Sequence, residues 1–109
     1  MNLKSHEVEI GALALQGLLG VPDCASGLVI FAHGSGSGRL SPRNNHVARA
    51  LQTWGFATLL LDLLTPEEER VRSNVFDIAL LARRLSQATD WAVGRPETEK
   101  LPIGYFGAS

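Results

Sequence analysis

An α/β fold on a partly parallel sheet is the expectation this sequence sets, and three observations set it. An alternating apolar pattern opens the chain, unbroken apolar runs follow, and stretches with helical periodicity separate those runs. The 109 residues give room for one small domain. A domain of that size buries something over ~60% of the surface its unfolded chain exposes.

The elements are expected in the following order. "HEVEIGALALQGLLGVP" alternates at Val8 and Ile10 and again at Leu13 and Leu15, with a break at Gly11, so it reads as two antiparallel strands joined by a tight turn. Leu28 to Ala32 is continuously apolar, as a strand covered on both faces must be; its β-branched residues and the glycines after it disfavour a buried helix. "SPRNNHVARALQTWG" carries helix signals: Ser41 to cap, Pro42 at the first helical position, Val47, Ala50, Leu51 and Trp54 on one face, and Gly55 to end it. "FATLLLDLL" is a second buried strand that ends near Asp62. "TPEEERVRSN" is a polar connection, a solvated turn or the start of a short helix. "NVFDIALLARRLSQATDWAVG" predicts an amphipathic helix with Val75, Ile78, Ala82, Leu85 and Ala92 inward, Leu81 widening that face, Arg83, Arg84 and Gln87 opposite, and Gly94 at its end. "LPIGYFG" is a further short strand after the loop "RPETEK". The whole is an antiparallel hairpin followed by three strands alternating with two helices, with right-handed crossovers.

Composition narrows the function classes. A formal net charge of -1 with scattered charges gives no general attraction to nucleic acid or to an anionic membrane. No basic leader precedes "GALALQGLLG", and no stretch approaches the ~20 apolar residues of a membrane span, so a cytoplasmic protein is expected. The single Cys24 has no partner for a disulfide and reads as an inert thiol. His6 and His46 read as surface or helix residues without metal-ligand spacing, and neither a metal nor another cofactor is expected.

The stretch with chemical content is "HGSGSGR", residues 33 to 39, which leaves a buried strand and precedes a helix. Phosphate loops and oxyanion loops both occupy that place. A phosphate loop needs Lys and then Ser or Thr after its last glycine, whereas Arg39-Leu40 follows Gly38. The dinucleotide pattern fails in both frames, because Arg39 or Ser41 stands where its third glycine belongs. An oxyanion loop fits better: Gly34 and Gly36 let the backbone turn inward and aim the Ser35 N–H at a developing negative charge. His33 reads as shaping that loop, and a plain Gly/Ser turn is the bland alternative. Arg39 and Arg43 are candidates for an anionic substrate group, with helix-start surface arginines as the alternative.

Gly107-Ala108-Ser109 after the last strand has the form of the first three residues of G-x-S-x-G, the turn that presents a serine nucleophile. Through "VIFAHGSGSGRLSPRNNHVARALQTWGFATLLLDLLT" and "DIALLARRLSQATDW...LPIGYFGAS", the chain resembles the N-terminal half of an α/β-hydrolase of the dienelactone hydrolase-like group, over essentially all of its length. The resemblance implies Ser109 as nucleophile, the Ser35 N–H as an oxyanion donor, and a small ester or lactone as substrate. It departs in one respect, since dienelactone hydrolases proper resemble one another in using Cys at the nucleophile position.

Residues 1–109 would then be a partial domain that stops at the nucleophile turn. The acid and His of the triad follow the serine in this chain order, so the 109 residues alone are expected to be inert, with a terminal carboxylate on Ser109 opposing the oxyanion. A partial sequence, truncated gene model or split gene is the expected explanation. The last strand would leave an apolar sheet edge open to self-association. Two other readings stay open: a non-catalytic nucleotide- or phosphate-binding module using loop 34–38, and a truncated pseudo-hydrolase that pairs its sheet edge with a partner.

Overall fold

The computed structural model describes residues 3–33 and 38–108. It begins with the hairpin of β1 (Leu3–Ile10) and β2 (Leu15–Pro22), in register from Ile10 opposite Leu15 to Leu3 opposite Pro22. The turn occupies residues 11–14 and closes with the Ala14 N–H donating to the Gly11 carbonyl at 3.0 Å. Gly11 sits at φ +71 there, a conformation that glycine adopts without a Cβ penalty. Leu13, expected on a strand, lies in this turn and is exposed.

After the hairpin come β3 (Leu28–His33), α1 (Pro42–Thr53), β4 (Ala57–Leu61), α2 (Pro66–Glu69), α3 (Arg72–Val75), α4 (Ile78–Val93) and β5 (Ile103–Ala108). The sheet order is β1-β2-β4-β3-β5, with β3 parallel to both β4 and β5 and β2 antiparallel to β4. The expected α/β architecture is therefore present: the N-terminal half of an α/β-hydrolase sheet. From β3 the chain steps one way to β4, then returns past β3 to β5. Crossovers of one hand that travel in opposite directions place their helices on opposite faces. The core divides accordingly. Leu28 and Ile30 with Ala57, Leu59 and Leu61 pack under Ala88 and Ala92 of α4, while Phe31 and Leu60 pack under Ala48 of α1.

Helix ends follow their sequence signals. The Ser41 hydroxyl accepts from the Asn44 N–H at 3.3 Å with Pro42 at the first position of α1, and the Asp77 carboxylate accepts from Leu80 N–H at 3.0 Å to start α4. Gly94 ends α4 as expected. Both buried stripes, however, differ from the expected ones. In α1 the inward residues are Asn44, Val47, Ala48 and Leu51, while Ala50 and Trp54 are exposed. In α4 the inward stripe runs through Leu81, Arg84, Leu85, Ala88 and Ala92. Ile78 and Ala82 face solvent, and Val75 belongs to α3. Arg84, expected on the polar face, points inward because Glu68 across the β4–α4 connection partners it. No helix among the described residues is long and apolar enough to cross a membrane.

Candidate active site

β3 and β5 lie side by side and remain in register to their last residues, His33 opposite Ala108. Paired strands run about 4.8 Å apart, so the chain leaves both at one level of the carboxyl edge. The next residues in sequence are Gly34 and Ser109. The strand order reverses at β3, and open α/β sheets bind ligands outside the carboxyl ends of their strands at such a switch point. Phe31 and Phe106 hold the two strands together from the α1 face, with ring centroids 5.2 Å apart. The proposed Gly34, Ser35, Gly36 and Ser109 themselves lie outside the described residues.

Between Gly38 and the helix, Gly38, Arg39 and Ser41 are held by hydrogen bonds, while Leu40 is exposed. The Arg39 N–H donates to Asp62 Oδ1 at 2.7 Å and its guanidinium Nη1 donates to Asp62 Oδ2 at 2.5 Å. Both side chains are largely shielded, 24% and 17% exposed, so this pair is less screened than an ordinary surface ion pair. Asn45 of α1 reaches back from the helix, its Nδ2 donating to the carbonyls of Arg39 at 2.8 Å and Ser41 at 2.9 Å. The Ser41 N–H donates to the Gly38 carbonyl at 3.0 Å and closes the turn. Asp62 follows β4 directly and is tied to the hairpin by its own N–H, which donates to the Gln16 carbonyl at 2.9 Å.

Gly38 now has a physical reason. A Cβ on it would come within van der Waals overlap of Asp62 Oδ1, so only glycine lets the carboxylate reach the Arg39 N–H. The expected Arg39 is thus found at the loop exit, with its guanidinium engaged by Asp62. Arg43 and His46 are exposed on α1, and His6 lies on β1 with its Nε2 3.7 Å from Glu97. Cys24 is an exposed free thiol at φ +55 in the β2–β3 connection. Among the described residues no group of His, Cys, Asp and Glu could hold a metal ion.

A second ion pair organises the connection after β4. Glu68 and Arg84 form a two-pronged pair, both oxygens at 2.7 Å, and Arg84 Nη1 also donates to the Leu63 carbonyl at 3.2 Å. Thr65 and Glu68 cap α2 reciprocally. The Arg84 hydrogen bonds and the Thr65 N–H hold the Glu68 carboxyl down at about 2, and the Glu68 hydrogen bond raises Arg84 above its ordinary value.

Sequence reading missed Asp62 and Asn45 as site-supporting residues. The available signal was position: Asp62 is the first polar residue after a five-residue buried strand, at the carboxyl edge.

No protein-family model matches the chain. Solved structures do. A dienelactone hydrolase from Anabaena variabilis is 53% identical, with a TM-score of 0.89 over 99% of this chain and 52% of its own. A dienelactone hydrolase-like promiscuous phosphotriesterase from metagenomic libraries superposes with a TM-score of 0.71 at 21% identity, over 98% of this chain and 49% of its own. A curated relative from Mycobacterium tuberculosis (strain H37Rv), named "Putative phosphoribosyl transferase Rv0571c", is 57% identical over 98% of this chain and 25% of its own length. The fold and these matches define an α/β-hydrolase half-domain. Within that class the chain is similar to dienelactone hydrolase and dienelactone hydrolase-like proteins. It spans about half the length of the solved relatives and a quarter of the curated one.

Proposed function

We propose that these residues belong to a cytoplasmic serine hydrolase that cleaves a small ester or lactone. The observation that supports the reading is the registered parallel pair β3–β5 at the switch point, whose last residues, His33 and Ala108, end level at one edge of the sheet and immediately precede Gly34 and Ser109 in sequence. Ser109 Oγ attacks the substrate carbonyl, and the Ser35 N–H, freed to turn inward by Gly34 and Gly36, donates to the oxyanion. The general base and its orienting carboxylate are assigned to polypeptide beyond residue 109, in the chain order of such hydrolases. The 52% coverage of the Anabaena protein supports that assignment. No cofactor enters the proposed reaction. An acidic substrate group would have to share Arg39 with Asp62, so a neutral ester suits this edge better.

The phosphoribosyl transferase name belongs to a protein of which this stretch matches 25%. We assign hydrolase chemistry to this stretch, because its loop spacing and its likeness to a dienelactone hydrolase agree. The test is a panel of p-nitrophenyl esters and small lactones against the natural polypeptide that contains these residues, beside its Ser109→Ala variant. Turnover that disappears in the variant supports the reading. Saturable binding of phosphate or a nucleotide without any ester cleavage would replace it with the binding-module reading.

A further inference from the structure

We infer that the groove between α1 and the β1–β2 hairpin is a binding site for a small alkyl carboxylate, with Arg49 taking the carboxylate and Leu18, Ala48 and Leu60 taking the alkyl tail. The inference does not rest on the proposed hydrolase reading. The groove holds about 240 Å³. Sites for drug-sized ligands run to about 300–1,000 Å³, so a short molecule fits it best.

Strand register builds the groove row by row. Ser5 of β1 stands opposite Gly20 of β2, and Gly20 stands opposite Thr58 of β4. Gly20 leaves the space above this row open: a Cβ there would come 2.5 Å from Gln52 Nε2, which donates to Thr58 Oγ1 at 2.8 Å. The next row on this face is apolar, Leu18 opposite Leu60, with Ala48 of α1 packed on it. Arg49 is exposed and is the charged residue among those lining the groove, and no carboxylate among the described residues pairs with it. Glu7, opposite Leu18, does not line the groove. An unpaired cation over an apolar floor complements an anion that carries an alkyl chain. The guanidinium can hold a planar carboxylate by two hydrogen bonds, and the floor removes methylenes from water. The Thr58 row lies level with Val29, four residues or about 13 Å before His33 along β3, so the groove is separate from the carboxyl edge.

The experiment is titration calorimetry of the natural full-length polypeptide with acetate, butyrate, hexanoate and hexan-1-ol, beside its Arg49→Ala, Arg49→Lys and Ser5→Tyr variants. Hexanoate should saturate the site with a Kd of about 1 mM or tighter. Each methylene that enters the groove should tighten binding by up to about fourfold. Arg49→Ala should weaken hexanoate about tenfold or more, as loss of a charged hydrogen-bond partner does, and hexan-1-ol should lose a similar factor on the wild type. Arg49→Lys should recover part of the affinity. Ser5→Tyr fills the groove from its open side and should abolish binding. The unfolding midpoint checks that each variant is folded; if Ser5→Tyr is not, Arg49→Ala carries the test. No saturation by about 10 mM hexanoate overturns the inference, as it would if another stretch of the full polypeptide covered the groove. Hexanoate binding that is unchanged in folded Arg49→Ala and Ser5→Tyr, as binding at the carboxyl edge would be, overturns it too.

Discussion

Two arginine–carboxylate pairs among the described residues, Arg84–Glu68 and Arg39–Asp62, use the same chemistry for different ends. Arg84 and Glu68 join α4 to the connection after β4, with the Arg84 side chain 9% exposed and the Leu63 carbonyl as a further acceptor. Arg39 and Asp62 join the exit of the Gly-rich loop to the end of β4, and there the carboxylate also takes a backbone N–H. The first pair fastens a helix onto the core. The second fastens a backbone segment beside the candidate site. A shielded ion pair is thus defined by what it holds still, more than by its own strength.

Stability measurements can break that comparison. Arg84→Ala strands Glu68 beside the core, and removing one partner of a buried pair costs about 3–5 kcal/mol; with Glu68 28% exposed, the lower end is expected. Urea unfolding of the natural polypeptide checks this, and ester turnover of the folded variant should be unchanged. Asp62→Ala should cost less, about 1.5 kcal/mol, as expected for charge-assisted hydrogen bonds at a partly wet site. If the two variants destabilised equally, the contrast between them would be lost.

Acid titration sharpens the same point. Folding lowers the Glu68 carboxyl from 4.5 to about 2, so its contribution is complete above the unfolded value and is lost as pH falls from about 4.5 towards 2. Glu68→Gln should flatten the acid limb of stability in that window. A limb identical to the wild type's would show that other carboxylates set it. The smallest effects belong to the caps. Ser41→Ala and Thr65→Ala should each cost about 1 kcal/mol, read as matching shifts in the unfolding midpoint.

Much of the fold was legible because local signals and burial agreed. The hairpin, both central strands and the caps at Ser41, Pro42 and Gly94 lie where alternation, apolar runs and cap residues put them. The inward faces were harder. Arg84 counts as polar in any periodicity, and only a partner sixteen residues away makes its burial favourable. Trp54 counts as apolar, yet it stands at the end of α1, beyond the reach of the sheet, and is 81% exposed. Of the candidate site, the sequence motifs proposed the Gly-rich loop and Ser109, and residues 34–37 and 109 lie outside the described residues. The support from Asp62 and Asn45 depends on which strand lies next to β3, and strand order is not written in a single sequence.

One edge of β5 is unpaired among the described residues, and we propose that it is where the isolated 109-residue chain self-associates, with light scattering as the check. A monodisperse monomer would contradict that. The serine that follows this strand in sequence carries the proposed chemistry. The direct measurement treats the natural polypeptide with a fluorophosphonate ester and maps the adduct by peptide mass spectrometry. A single phosphonylated residue is expected, Ser109, formed faster than hydrolysis of the reagent and abolished in Ser109→Ala. An unmodified Ser109 in folded protein, or an adduct at another residue, would contradict it.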